Sequence, residues 1–189
     1  MSWIRTFTGR KARPLNLQPD HVCIEDIAHA LSGRGRFGCH TSVFYSVASH
    51  SVFVAGQLSQ YGPMAQLAGL MHDRGEAYMP DFPSPVKHAY HVEIVGHGLV
   101  NVAEAERIMC RSIDKALGIE FPSWVDSLVK HADLVALTTE ARDLMNDTCE
   151  EWGVDLPPPS PIVLTEVMPA QAEREFLMMY AHLRSELDD

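Results

Sequence analysis

Residues 69–87 read GLMHDRGEAYMPDFPSPVK, and the rest of the chain can be interpreted outward from this stretch. Its apolar opening predicts the end of a helix, which delivers the adjacent pair His72 and Asp73. Neutral imidazole and carboxylate form a mixed ligand set that suits divalent first-row metals. Glu76 follows closely and could handle a proton, while Lys87 could hold an anion. One His-Asp pair is weak evidence, so the assignment depends on partners elsewhere in the chain.

Apolar residues at helical spacing recur along the whole chain, and strand signals are nearly absent. Asp20, Pro63 and Ser123 are residue types that favour a helix start. Asn101 is followed three residues later by Glu104, a variant of the capping box. We therefore predict an all-α fold. The predicted helices cover residues 20–31, 46–60, 63–72, 101–117 and 123–144, with a last amphipathic helix that runs through residue 183.

The length and the breaks between helices indicate one domain. At 189 residues the chain can bury one core and is short for two ordinary domains, so we predict a single domain over residues 1–189. Residues 156–161 predict a stiff proline-rich connector to the last helix, which should pack on the same domain. Residues 88–98 are predicted to be irregular. Residues 1–20 are predicted to form an extended basic arm, whose cations are Arg5, Arg10, Lys11 and Arg13.

The composition excludes several classes of partner. A formal charge of −10 argues against duplex DNA or another nucleic acid polymer, and against an acidic membrane surface. A small phosphorylated ligand stays possible, because a local cationic pocket can exist in an acidic protein. The four cysteines are scattered without a C-x-x-C motif, which favours free thiols in a reducing cytoplasm. We find no secretory signal and no apolar run long enough to span a membrane.

Two polar residues stand on apolar helical stripes and need an explanation. His50 lies on the apolar stripe of the second predicted helix, where a histidine is usually a satisfied core residue. Asp133 lies in the apolar middle of the predicted helix 123–144, where aspartate is unfavourable and needs a partner. Metal ligation would supply that partner, and a buried salt bridge would do so equally well.

The loop 34–41 reads RGRFGCHT and mixes cations, an aromatic residue and flexible glycines. Its composition is that of an ordinary surface loop. It is also compatible with a loop that grips a nucleotide, in which Arg36 pairs with a phosphate and Phe37 packs against a sugar or base.

The order His50, His72-Asp73, Asp133 resembles the HD-domain phosphohydrolase superfamily, and the resemblance extends over roughly residues 7–145. The stretches IEDIAHAL (24–31), RF (36–37) and YSVASHSV (45–52) are similar to the bacterial and phage 5′-deoxynucleotidase branch. The spacing after the His-Asp pair also matches this branch, through Glu76, Asp81, Pro83, Pro85 and Lys87. The resemblance implies an HD-domain helical bundle.

The resemblance implies a role for each matching residue. His50, His72, Asp73 and Asp133 would bind one divalent transition metal, which could be Mn, Co, Zn, Fe or Ni. Glu76 would position or activate the attacking water, and Asp81 would contact the sugar and assist the leaving oxygen. The remaining matches concern the substrate: Arg36, Lys87 and His40 would contact phosphate, while Phe37 stands where the branch usually carries a tryptophan beside the sugar.

The substrate implied by the resemblance is a 5′-deoxynucleotide, hydrolysed at the α-phosphorus. Monophosphate hydrolysis would release phosphate, whereas some phage members remove triphosphate from a substrate such as dATP. Extra cations for the β- and γ-phosphates would distinguish the two reactions, and the candidates are Arg34, Arg74, His40 and His88. Arg74 is itself a departure, because a small residue commonly follows the His-Asp pair.

The resemblance also implies a homo-oligomer, either a dimer or a hexamer. An apolar stripe on the last helix would need cover if it were exposed. That stripe consists of Phe176, Met179, Tyr180 and Leu183.

Two other functions stay open at the level of sequence. Some HD proteins insert histidines after the His-Asp pair and become two-metal phosphodiesterases or oxygenases; His88, His91 and His97 lie in that interval. A nucleotide-sensing HD module without turnover is the second alternative. Loss of a ligand or of the glutamate would be its mark, and this chain retains all of them.

Overall fold

The structure is a computed structural model that describes residues 3–80, 82, 87–152 and 155–188. The described chain is mostly helical with four short strands, in agreement with an all-α fold. Its strands are β1 (Ile4–Arg5), β2 (Lys11–Ala12), β3 (His91–Ile94) and β4 (Gly98–Asn101). Its α-helices are α1 (Ile24–Ser32), α2 (Val47–Gln57), α3 (Pro63–Met71), α4 (Val102–Leu117), α5 (Trp124–Glu140) and α6 (Pro169–Asp188).

Contacts between residues divide the chain into two compact units, each built from two separate stretches. The first unit comprises Met1–Leu31 and Asp73–Glu120, and the second comprises Ser32–His72 and Phe121–Asp189. The chain passes from the second unit to the first between His72 and Asp73, in the middle of the His-Asp pair.

In the first unit, two antiparallel hairpins accompany α1 and α4. One pairs β1 with β2 inside the segment predicted to be an extended arm. The other pairs β3 with β4, so the prediction of an irregular segment over residues 88–98 was wrong. Gly96 in the connection and Gly98 at the start of β4 have φ angles of 83° and 75°, which glycine adopts without steric strain.

Helix α4 begins and ends as its sequence predicts. The Asn101 side chain accepts a hydrogen bond from the Glu104 backbone N–H at 2.9 Å, and Gly118 ends the helix in the left-handed conformation. The helix packs against the turn Arg74–Ala77, where Gly75 lies beside Glu106 and Cys110. Helix α4 therefore supports the segment that carries Glu76.

In the second unit, α2 packs against α3, α5 and α6. Gly69 allows the close approach of α3 to α2, because a Cβ atom there would lie 2.7 Å from Cδ1 of Leu58 and 3.2 Å from Cα of Ala55. Phe176 and Leu183 of α6 are fully buried. The stripe on this last helix is thus largely covered within its own unit, and it gives no argument for an oligomer.

The start of α2 is fixed by a side-chain cap and by the preceding loop. The Ser46 hydroxyl accepts a hydrogen bond from the Ser49 N–H at 3.1 Å, as expected for a helix N-cap. Gly35 pairs with Ser46, and the Arg36 N–H donates to the Tyr45 carbonyl at 2.9 Å. These bonds hold Arg36 beside the first turn of α2.

Two further expectations can be compared with the helices. Ser123 precedes α5 as predicted, but its side chain makes no capping hydrogen bond, because its backbone already has helical angles. In the described part of the chain, none of the helices combines the length and apolar character needed to cross a membrane.

Candidate metal centre

His50 projects from α2 into the interior of the second unit. Its side chain is fully buried, and its Nδ1 atom lies 2.6 Å from Oε1 of Glu140, at the end of α5. Because an ionised carboxylate only accepts hydrogen bonds, Nδ1 carries the proton. The other ring nitrogen, Nε2, is thereby turned toward His72 and Asp133.

His72 follows the last residue of α3. Its Nδ1 atom donates to the Gly69 carbonyl at 2.7 Å, which again leaves Nε2 as the nitrogen that can ligate a metal. The Nε2 atoms of His72 and His50 lie 3.2 Å apart. The short approach between α2 and α3 at Gly69 is the packing feature that brings these two imidazoles together.

Asp133 completes a group of three candidate ligands. Its Oδ1 atom is 3.2 Å from Nε2 of His50 and 3.8 Å from Nε2 of His72. The side chain is 41% exposed, so the group is open on the side of the carboxylate. An aspartate in the apolar middle of a helix needs a polar partner, and the imidazole of His50 is one such partner for Asp133.

The three atoms suit a bound transition metal in number and type, and two of their three separations match its geometry. The third separation, between Nε2 of His72 and Oδ1 of Asp133, is wider at 3.8 Å. Two ligands at 2.0–2.1 Å from one ion, at angles of about 90–110°, are roughly 2.9–3.4 Å apart. The His50–His72 and His50–Asp133 separations of 3.2 Å fall in this range. Both histidines also have Nδ1 bonded to an oxygen, the usual arrangement of imidazoles that ligate metals.

The electrostatics of the group favour a positive charge between its members. Burial and the nearby Arg36 guanidinium lower the pKa of His50, but the carboxylates of Glu140 and Asp133 outweigh them and raise it to about 10. A proton or a metal cation at Nε2 satisfies the same demand for positive charge. A metal must displace any proton on Nε2 before it can bind there. The carboxylates therefore attract the metal cation, and protons compete with it for His50.

Glu140 contacts the candidate ligand His50 and was not identified from the sequence. Burial raises the pKa of its carboxyl group, but Arg36 and His50 more than offset this effect and lower it. Its Oε2 accepts hydrogen bonds from Nη2 and Nε of Arg36 at 3.0 and 3.3 Å. The only available sequence signal was an acid seven residues after Asp133, which places both on one face of α5.

The loop that carries the predicted substrate contacts is tightly wound. Phe37, Gly38 and Cys39 have φ angles of 53°, 59° and 65°, all in the left-handed region. The Arg36 guanidinium lies 5.1 Å from the centre of the Phe37 ring, and His40 is exposed. Arg36 is bound to Glu140 in this structure. The contacts of Arg36 and His40 with phosphate stay predictions, and so does the contact of Phe37 with the sugar.

Glu76 and Lys87, both in the first unit, are partners of each other. Glu76 is 2% exposed, and its Oε1 accepts a hydrogen bond from Nζ of Lys87 at 3.2 Å. Lys87 also lies 3.0 Å from Oε1 of Glu106. Burial lowers the pKa of Lys87, but Glu76, Glu106 and Asp73 outweigh this effect and raise it, so the ammonium stays charged. A charged lysine stabilises the ionised form of the Glu76 carboxylate.

The other residues singled out in the sequence have varied positions. Asp73 is the first residue of the second stretch of the first unit and precedes the turn Arg74–Ala77. Arg74 forms a salt bridge with Asp114, which gives a structural reason for a cation after the His-Asp pair. Asp81 lies outside the described residues. His88, His91 and His97 are exposed and, within the described residues, belong to no group of three candidate ligands.

Comparisons with known proteins give relatives without assigned activities. No family model matches the chain. The uncharacterized protein YfdR of Escherichia coli strain K12 is 37% identical over 155 residues, which span 82% of this chain and 79% of YfdR. An uncharacterized protein of Rhodobacter capsulatus is 29% identical over 171 residues, which span 86% of this chain and 83% of that protein.

Proposed function

This chain belongs to the family of the uncharacterized protein YfdR, and we propose that it is a divalent-metal-dependent phosphohydrolase with an HD-domain helical bundle. Its proposed substrates are 5′-deoxynucleotides. The observation that carries the proposal is the convergence of His50, His72 and Asp133, whose ligand atoms lie 3.2–3.8 Å apart. The order of these residues along the chain, with Asp73 beside His72, is the order that the sequence resemblance predicts.

The proposed metal ligands are His50, His72, Asp73 and Asp133. A divalent cation held by them would supply Lewis acidity toward phosphoryl oxygens and would make a water beside it easier to deprotonate. An oxygen-and-nitrogen donor set of this kind suits Mn, Co, Zn, Fe or Ni. We expect one metal per chain. The extra ligands of a two-metal enzyme would be His88, His91 and His97, and among the described residues these belong to no group of three candidate ligands.

The proposed role of Glu76 is to orient the attacking water and accept its proton. Its carboxylate is buried, and the hydrogen bond from Lys87 favours the ionised form that such a role needs. Lys87 is proposed to contact phosphate as well, as Arg36 is, since cations offset the charge that builds on phosphoryl oxygens in the transition state. Asp81 is proposed to contact the sugar and assist the departing oxygen.

The reaction proposed is hydrolysis at the α-phosphorus. Water forms a bond to phosphorus as the bond to the 5′-oxygen breaks, and the 5′-oxygen receives a proton. A deoxynucleoside monophosphate would give deoxynucleoside and phosphate, and a deoxynucleoside triphosphate would give deoxynucleoside and triphosphate. The attack is the same in both cases, so product identification decides between them.

A substrate panel tests this function. The protein is stripped of metal with a chelator, reloaded with Mn²⁺ or Co²⁺, and incubated with mono-, di- and triphosphates of every base in the ribo and deoxyribo series, and separately with a cyclic dinucleotide. We expect metal-dependent release of phosphate or triphosphate together with free deoxynucleoside. Nucleoside monophosphate appearing from a cyclic dinucleotide, with two metals per chain, would favour a two-metal phosphodiesterase. Tight nucleotide binding without any turnover would favour a sensing module.

Matched histidine variants separate the protein's own activity from that of a contaminant. His72→Ala removes a proposed ligand and should abolish hydrolysis. His131→Ala removes an exposed histidine of α5, two residues before Asp133, and should retain it. Equal activity in both variants would contradict the proposed function.

A further inference from the structure

We propose that Glu140 is a positioning residue that holds the metal ligand His50 and the cation Arg36 with one carboxylate, and so links metal binding to substrate binding. This inference rests on the proposed metal centre. Neither the chain's relatives nor the motifs of its sequence assign Glu140 a role. Three features of Glu140 support this role, namely its two oxygens, its complete burial and its place on α5.

The two carboxylate oxygens have separate partners. Oε1 lies 2.6 Å from Nδ1 of His50, whereas Oε2 accepts from Nη2 and Nε of Arg36 at 3.0 and 3.3 Å. The first contact fixes which ring nitrogen of His50 keeps its proton and the angle at which Nε2 faces Asp133. The second uses two donors of one guanidinium, which fixes the direction of the Arg36 side chain as well as its distance.

Burial makes this arrangement hard to replace. The side chains of Glu140 and His50 are both 0% exposed, and that of Arg36 is 12% exposed. Water therefore has little access to substitute for a missing acceptor. Loss of either oxygen removes the acceptor that this carboxylate gives to a buried donor, which is costly where water is scarce.

A glutamine side chain cannot accept all the hydrogen bonds that the Glu140 carboxylate accepts. Glutamine has the same shape but offers one acceptor oxygen and one donor NH₂ group. Because His50 and Arg36 both donate, the NH₂ group of a glutamine must face one of two donors. Because the Arg36 guanidinium stays charged and presents two donors, the amide oxygen of a glutamine is expected to face Arg36 and its NH₂ group to face His50. A Glu140→Gln variant therefore keeps the packing of α5 and loses the tether on His50.

The position on α5 ties these contacts to the metal ligand on the same helix. Asp133 and Glu140 are seven residues apart and share one helix face. Asp133 supplies an oxygen to the proposed metal, while Glu140 orients the imidazole opposite it. A single rigid helix thus sets two sides of the metal centre, and through Arg36 it also sets the proposed phosphate contact.

Cobalt binding by the full-length chain tests the inference without a substrate. We would titrate metal-stripped wild type and Glu140→Gln with Co²⁺, measure affinity by chelator competition, and record the visible spectrum of the bound ion at saturation. Affinity should fall by about 10–100-fold, the usual effect of losing an outer partner of a metal ligand. The spectrum should also change, because the imidazole of His50 is no longer held at one angle.

Thr139→Val is the matched control. Thr139 is the neighbour of Glu140 and is equally buried, and its hydroxyl bonds to the Val135 carbonyl and the Ser160 N–H, at 2.6 and 2.9 Å. This variant should lose stability yet keep Co²⁺ affinity within about threefold and an unchanged spectrum, because loss of stability alone leaves the tether on His50 intact. If it loses as much affinity as Glu140→Gln, the effect is a general loosening of α5 and the inference is overturned.

The remaining outcomes are separated by two more variants. If Glu140→Gln binds Co²⁺ with wild-type affinity and spectrum while His72→Ala does not bind, the positioning role fails and the metal centre stands. If His72→Ala also binds as wild type does, the metal centre and the proposed function fail together. Should Glu140→Gln not fold, Glu140→Asp keeps the charge, shortens the reach by one methylene, and must meet the same criteria.

Discussion

The Nδ1 atom of His50 lies 2.6 Å from Oε1 of Glu140, although 90 residues separate the two along the chain. Both side chains are fully buried, and the contact joins α2 to the end of α5. A candidate metal ligand is therefore oriented by the fold itself. The same carboxylate binds Arg36, so helix α2 and the loop before it meet the distant end of α5 at one buried group.

Asp133→Asn should weaken metal binding by at least about 100-fold, a larger effect than the 10–100-fold expected for an outer partner. The amide keeps the shape of the side chain but loses the charge that attracts the cation to the imidazoles. Chelator-competition titrations with Co²⁺ or Mn²⁺ would measure the change. His131→Ala on the same helix should bind as wild type does, and Asp133→Asn binding equally well would remove Asp133 from the ligand set.

Gly69→Ala should lower the free energy of unfolding by about 1–3 kcal/mol, the range for overpacking a close contact. Its Cβ would lie 2.7 Å from Leu58 and 3.2 Å from the Ala55 backbone, between α2 and α3. Denaturant unfolding would measure the change, with Gly56→Ala as control. Gly56 is helical and exposed with open space around it, so alanine there should be neutral or stabilise by about 0.5–1 kcal/mol. Equal effects of the two variants would argue against close packing at Gly69.

Glu76→Ala should retain the metal and substrate affinity within a few-fold, and its rate should fall by about 10²–10⁴, the usual contribution of a positioned acid or base. Metal content, melting temperature and kcat would be measured on one preparation. Glu120→Ala, an exposed acid of the same unit, is the control and should behave as wild type does.

A different pattern would reassign Glu76. If Glu76→Ala loses stability and keeps its rate, the residue serves only to hold Lys87. If the variant is stable, loaded with metal and fully active, the water is activated by the metal alone or through Asp81.

The chain should form a homo-oligomer, either a dimer or a hexamer. This prediction now rests on the family resemblance, because Phe176 and Leu183 of α6 are buried within their own unit. Multi-angle light scattering at micromolar concentration would give the mass, and a monomer there would contradict it.

Local signals in the sequence were sufficient for most helices. The Asn101 cap and Gly118 end of α4, the Ser46 start of α2 and the Pro63 start of α3 all depend on interactions within one or two turns. They were predicted for that reason. The β3–β4 hairpin was missed because its strands are only four residues long and alternate weakly between apolar and polar residues.

The candidate site was only partly accessible from sequence. Helical spacing alone predicted that His50 is a core residue. Only the family resemblance predicted that it is a metal ligand. Its partner Glu140 could not be predicted, because a contact across 90 residues leaves no periodic signal. The pairing of Arg36 with Glu140, across 104 residues, was hidden for the same reason.

Metal content and turnover of the same preparations test the central claim most directly. Wild type, His72→Ala and His131→Ala would be loaded with Mn²⁺ or Co²⁺, freed of excess metal, and assayed for bound metal and for deoxynucleotide hydrolysis. We predict one metal per chain with activity in wild type and His131→Ala, and neither metal nor activity in His72→Ala. Full metal occupancy or undiminished hydrolysis in His72→Ala would contradict the account.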